Sequence, residues 1–148
     1  MTRVERARKQ MGVPEPTAKI VLRPERSPGH AWRVYVFRTD EQMRRYISHI
    51  RPDKRGSVKD AWGFTDERTQ TIALSLKSCT DNCLGHELLH LTCWYARQIG
   101  LRAKNCMTWG HPTHERIAEV LGDLLSQFWK KYSGLMPRTN CWGFRGRP

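Results

Sequence analysis

The sequence has no apolar run that approaches the ~20 residues a membrane-spanning helix needs, so we expect no membrane partner. It is also poor in carboxylates: 14 Asp and Glu stand against 26 Lys and Arg, which gives a formal net charge of +12. A surface with this excess attracts polyanions by releasing their counterions. The charge therefore favours a nucleic-acid partner and, equally, a basic surface with no specific nucleic-acid role.

A secretory leader and a disulfide framework are not indicated either. Residues 1–10 are charged, and neither an apolar segment nor a small-residue cleavage site follows them. The five cysteines are an odd number, which is typical of reduced thiols. These features predict a cytoplasmic protein.

Charge and proline divide the chain into three parts. Residues 1–30 hold four prolines and many charges and are predicted to be a basic arm with at most one short strand, over 19–22. Residues 31–132 are predicted to form one domain. Residues 133–148 are rich in glycine and basic residues and are predicted to be an irregular tail.

Periodicity predicts an α+β fold with a small mixed or antiparallel sheet. The expected elements are a strand over 32–37, a helix from Thr39 or Asp40 to about Ile50, a hairpin of strands 60–64 and 69–76, a helix over about 82–99 that Gly100 ends, and a helix over about 113–132 that Thr113 caps.

Two histidines that lie one helical turn apart form the candidate metal site of the sequence. Residues 85–90 read Gly-His-Glu-Leu-Leu-His, so His86 and His90 project from the same side of the 82–99 helix. Both imidazoles can then reach one metal ion, and Glu87 can act on a water molecule without binding the metal. This His-Glu-x-x-His spacing is typical of zinc peptidases and predicts a Zn²⁺ site with Glu87 as general base.

A catalytic zinc ion takes three protein ligands and keeps one position open. The second predicted helix begins with His111, His114 and Glu115, and Glu119 follows one turn later. We expect Glu115 to be the third ligand and Glu119 to hydrogen-bond a ligand histidine. His114 is the rival ligand and His111 a weaker one.

Two further groups of residues bear on the site. Tyr95, His111 and Tyr132 are candidates for stabilising a tetrahedral oxyanion. The cysteines could form a second, structural zinc site, although their spacing fits packing thiols better; they are Cys79, Cys83, Cys93 and Cys106.

With these motifs, the stretch 63–128 resembles zincin-like metallopeptidases of the gluzincin type. It is similar to small zincins of phages and mobile elements and, distantly, to SprT-like domains. There a hairpin leads into the His-Glu-x-x-His helix, and a second helix carries the glutamate ligand with an acidic residue four places on. The resemblance implies a zincin-like fold and a polypeptide substrate.

The resemblance also implies a location in a bacterium, in a phage-infected cell or on a virion. We expect strand 69–76 to be the sheet edge that pairs with an extended peptide. The alternative function is a zincin-like binding or structural protein without proteolytic activity. The sequence leaves the oligomeric state open.

Overall fold

The structure, a computed structural model, describes residues 6, 11–78, 81–106 and 110–135. It has the predicted α+β architecture with a mixed sheet. The strands are β1 (Ala18–Leu22), β2 (Trp32–Phe37), β3 (Gly63–Asp66) and β4 (Thr71–Ser75), and the helices are α1 (Asp40–Ile50), α2 (Asp81–Gln98), the single turn α3 (Ala103–Cys106) and α4 (Pro112–Leu135). Within the described ranges, no helix is long and apolar enough to cross a membrane.

The sheet has the strand order β1-β2-β4-β3. β2 and β4 are parallel, with Val34 opposite Ile72, because the chain crosses through α1 and a long loop between them. The outer pairs are antiparallel. β4 is therefore an inner strand, and the prediction that 69–76 forms the edge was wrong: β3 is the free edge on that side.

The strand β1 corrects the predicted boundary of the domain. It pairs along its whole length with β2, from Ala18 opposite Val36 to Leu22 opposite Trp32. Ile20 and Leu22 point inward and are buried. The sheet thus begins at Ala18 and not after residue 30. Residues 1–5, 7–10 and 136–148 of the predicted arm and tail lie outside the described residues.

Alternating side chains of the inner strands fill a core on each face of the sheet. On one face, Tyr35 and Phe37 pack with the apolar side of α1. On the other, Val34 and Val36 pack with α2 and α4. The apolar side of α4 packs there through Leu124 and Phe128, which are both fully buried. The face that holds α2 and α4 carries the candidate site.

Local signals fix the ends of the helices. Thr39 caps α1, accepting a hydrogen bond from the backbone N–H of Gln42 at 3.3 Å. Gly100 ends α2 with φ of 76°, and the N–H of Leu101 donates to the carbonyl of Ala96 at 2.9 Å.

The start of α4 differs from the prediction by one residue. The helix begins at Pro112, a favoured first helical residue because it has no N–H to satisfy. The ring nitrogen Nδ1 of His111 accepts from the N–H of Thr113 at 3.1 Å. His111, and not Thr113, therefore caps this helix.

A polar contact ties α2 and α4 to the turn after β1. The Glu25 carboxylate accepts hydrogen bonds from the Tyr95 hydroxyl and from two nitrogens of Arg116, the latter at 2.9 and 2.8 Å. The Arg116 and Tyr95 hydrogen bonds lower the pKa of Glu25, since they stabilise its charged form. The contact therefore joins side chains of α2 and α4 to the turn that follows β1.

Candidate active site

His86 and His90 converge on the outer side of α2. Both side chains are exposed, and their Nε2 atoms lie 3.0 Å apart. The ring centroids are 4.6 Å apart, and the ring planes meet at 85°. Two imidazole nitrogens this close share either one proton, in a hydrogen bond, or one cation.

The separation of the two nitrogens fits a zinc ion. Zn–N bonds of about 2.0–2.1 Å at a tetrahedral angle place the ligand nitrogens roughly 3.3 Å apart. His86 and His90 would have to separate by only a few tenths of an ångström from their 3.0 Å contact. The pair therefore fits two of the protein ligands of a zinc ion.

Glu87 lies beside the pair on α2, and its carboxylate reaches toward β3. Its side chain is 6% exposed, and its carboxylate accepts a hydrogen bond from the Thr65 hydroxyl. Because a buried carboxylate is stabilised by such a donor, Thr65 holds Glu87 at the edge of the sheet. Glu87 is thus positioned separately from the two imidazoles.

Gly63 leaves the space that Glu87 occupies. A Cβ atom at Gly63 would lie 2.9 Å from Cγ and 3.0 Å from Oε1 of Glu87, and 3.0 Å from Sγ of Cys83. These distances are shorter than carbon atoms tolerate in a packed interior. A glycine at the start of β3 therefore allows the carboxylate to approach the strand.

A cleft runs between α2 and the free edge of β3. One part, of about 310 Å³, is lined by the histidine pair, Glu87 and the loop before β3. The other part, of about 440 Å³, is lined by His86, Glu87 and Trp62. Glu87 lies between the two, so a substrate in the cleft would pass both the carboxylate and the imidazoles.

Exposed apolar surface lies at one end of this cleft. Trp62 immediately precedes β3, and 64% of it is exposed. The carbonyl of the preceding residue, Ala61, accepts two hydrogen bonds from Arg44, at 3.2 and 3.1 Å, which anchor the loop to α1. Trp62 is thus presented at the mouth of the cleft from a fixed backbone.

The structure does not bring Glu115 to the histidine pair. Its side chain is 62% exposed, compared with 27% for that of His114. At 100° per residue, Glu115 lies about 160° from the centre of the buried stripe of α4 and His114 about 60° from it. Among the described residues, no three His, Cys, Asp or Glu side chains are grouped closely enough to hold a metal ion.

Glu119 and His111, the other predicted site residues of this helix, do not contact the histidine pair either. Glu119 is exposed and lies with Glu25 and Arg26 on the side of the turn after β1, away from the histidine pair. In the neutral ring of His111, accepting at Nδ1 puts the proton on Nε2. His111 in this geometry has no lone pair left for a metal.

Two of the three oxyanion candidates are in the core. Tyr95 is 3% exposed and points to Glu25 from the buried side of α2. Tyr132 is 6% exposed, and its ring stacks on Phe128. Neither hydroxyl faces the cleft, so the prediction was wrong for both.

The cysteines do not form a common site in the described part of the chain. Cys83 lines the cleft, whereas Cys93 lies ten residues further along α2. Ten helical residues span about 15 Å, too far for one metal ion. Cys79 and the side chain of Cys106 lie outside what the structure describes.

Sequence reasoning missed the contribution of β3. Thr65 and Gly63 contact Glu87 but belong to no metal-site motif. The only available signal was the position of a predicted hairpin directly before the motif helix, which brings its first strand close to that helix. The residues of the strand that reach Glu87 depend on its register, which the pattern does not determine.

Comparisons with protein-family models, with curated proteins and with solved structures gave no match to this chain.

Proposed function

We propose that this chain is a zincin-like, zinc-dependent peptidase. The observation that carries the proposal is the 3.0 Å approach of the His86 and His90 nitrogens beside the separately held, buried carboxylate of Glu87. A pair of metal-binding imidazoles and a carboxylate that does not bind the metal are the two components that hydrolysis by an activated water requires.

The roles divide among the residues of the cleft. A zinc ion, when bound, supplies Lewis acidity that polarises a carbonyl and makes water a nucleophile at neutral pH. His86 and His90 hold the ion through Nε2. Glu87 accepts the proton of the attacking water and delivers it to the leaving amine. The Thr65 hydrogen bond keeps the carboxylate turned toward the cleft.

The free edge of β3 suits an extended polypeptide substrate. β3 pairs with β4 on one side only, and Gly63, Phe64 and Thr65 of this strand line the cleft that holds Glu87. An added strand would form main-chain hydrogen bonds there, and an apolar side chain could rest on Trp62. This geometry supports a peptide substrate more directly than a compact small molecule.

Two residues compete for the position of third ligand. The sequence pattern favours Glu115. The position of His114, closer to the buried stripe of α4 and less exposed, favours His114. Among the described residues, neither side chain forms a metal-binding group with the histidine pair.

Hydrolysis of unfolded casein tests the function. We expect the zinc-loaded chain to cleave it, a chelator to abolish cleavage, and added Zn²⁺ to restore it, because both imidazoles lose their common cation when zinc is removed. Cleavage that persists in the chelator would contradict the proposal. Zinc binding without cleavage of any peptide would favour the binding or structural alternative.

A further inference from the structure

We infer that a second cleft, on the other face of the sheet, binds the phosphate backbone of nucleic acid. It has a volume of about 490 Å³ and lies between residues 11–14 and the exposed side of α1, with Arg55 from the following loop at its border. This cleft shares no lining residue with the candidate active site. The inference therefore does not depend on the proposed peptidase function.

Three arginines and one carboxylate, Glu41, line the described cleft. Arg44 donates to the carbonyl of Ala61, and Arg45 donates to that of Gly12 at 3.1 Å. These carbonyls fix the guanidinium groups but do not neutralise their charge. A pre-positioned guanidinium loses little freedom when it pairs with a phosphate, and its planar fork matches two phosphate oxygens. Arg44 also interacts with the carboxylate of Asp40, so Arg45 and Arg55 carry most of the proposed contact.

The remaining lining extends the basic surface along the helix. Arg45 and His49 are one turn apart on α1, so their Cβ atoms lie about 5–6 Å from each other along one stripe. Arg55 is exposed and faces the cleft from the loop, where Lys54 and Lys59 are also exposed. Positive groups arranged along a groove follow a phosphate chain better than they fit a single small anion.

Nucleic acid fits this cleft better than an anionic membrane does. The cleft is concave, and of its lining residues only Met11 is a large, exposed apolar side chain. Peripheral membrane binding by a basic helix needs a continuous apolar face beside the charges. The apolar face of α1, formed by Met43, Tyr46 and Ile47, is buried against the sheet.

Binding of a labelled single-stranded oligonucleotide of about 20 nucleotides, followed by fluorescence anisotropy between about 50 and 200 mM salt, tests the site. We expect Arg45→Gln/Arg55→Gln to weaken binding about tenfold or more and to reduce the salt slope by about 1.4, since two contacts to single-strand phosphates are lost. The single variant Arg55→Gln removes no side-chain hydrogen bond or ion pair of the described residues. It is expected to reduce the slope by about half as much.

The matched control is Arg68→Gln/Arg97→Gln, which removes the same charge from exposed positions that line neither cleft. It is expected to bind nearly as the wild type does. If both double variants lost the same affinity for the oligonucleotide, binding would come from the basic surface as a whole and not from this cleft. If the wild type did not bind the oligonucleotide, or bound phosphatidylserine vesicles more tightly, nucleic acid would not be the partner of this cleft.

Discussion

Glu87→Gln is expected to lower kcat for peptide hydrolysis by about 10²–10⁴-fold, because the amide cannot accept the proton of the attacking water. Zinc content should be unchanged, since Glu87 faces Thr65 and not the metal position between the imidazoles. The amide oxygen of glutamine can still accept the Thr65 hydrogen bond, so the fold around the cleft should persist. The measurement is kcat and zinc per chain on the same purified sample.

Glu67→Gln is the matched control for this variant. Glu67 lines the same cleft, but its side chain is 49% exposed and pairs with Arg97 on the surface. This variant removes one negative charge from the same cleft and should leave kcat within about twofold of the wild type, as expected of an exposed ion pair. If the Glu87→Gln variant hydrolysed peptides at the wild-type rate, Glu87 would not be the general base.

Gly63→Ala is expected to reduce kcat by about 10–100-fold with zinc retained. The added methyl would sit 2.9 Å from Cγ of Glu87, so the carboxylate or the strand must move. Overpacking of this kind costs about 1–3 kcal/mol of stability, and a displacement of about 1 Å at a catalytic group can cost 10²-fold in rate. Kinetics and thermal unfolding on one sample separate the two effects.

Gly122→Ala makes the same chemical change on α4, where a Cβ atom would meet nothing within 4 Å. It should leave kcat unchanged and stabilise the chain by about 1 kcal/mol, the difference in helix propensity. If Gly63→Ala had full activity, Glu87 would not be held by its contact with β3.

The parts of the fold that depend on neighbouring residues were predictable. The strand Trp32–Phe37 and the helix Asp40–Ile50 have the predicted bounds, because alternation, a capping threonine and helical periodicity are all local signals. Gly100 ended its helix as expected for the same reason. The hairpin formed, but its turn lies further along the chain than expected. β3 runs from Gly63 to Asp66 and not over 60–64, and β4 runs from Thr71 to Ser75 and not over 69–76.

Strand pairing was not predictable from these patterns. β1 joined the sheet because Ala18, Ile20 and Leu22 alternate inward, yet its proline-rich surroundings suggested an arm. The inner position of β4 follows from its parallel pairing with β2, a contact between residues almost forty positions apart. A fully buried strand and an edge strand with one covered face are hard to distinguish when only the apolar pattern is known.

In the candidate site, too, the residues close together in sequence were predictable and the distant ligand was not. His86, Glu87 and His90 lie on one helix, so their spacing alone placed them around one point. The ligand from a second helix depends on how α4 is rotated and on residues 107–109, which lie outside the described part of the chain. Glu115 as third ligand therefore stays a prediction.

Elemental analysis of zinc per chain tests most directly whether His86 and His90 form a metal site. We expect about one zinc ion in the wild type and loss of it in both His86→Ala and His90→Ala, since a catalytic site has too few protein ligands to lose one. Comparing Glu115→Ala with His114→Ala then identifies the third ligand. If the wild type held no zinc after metal was added, or if both histidine variants retained zinc, His86 and His90 would not form a zinc site.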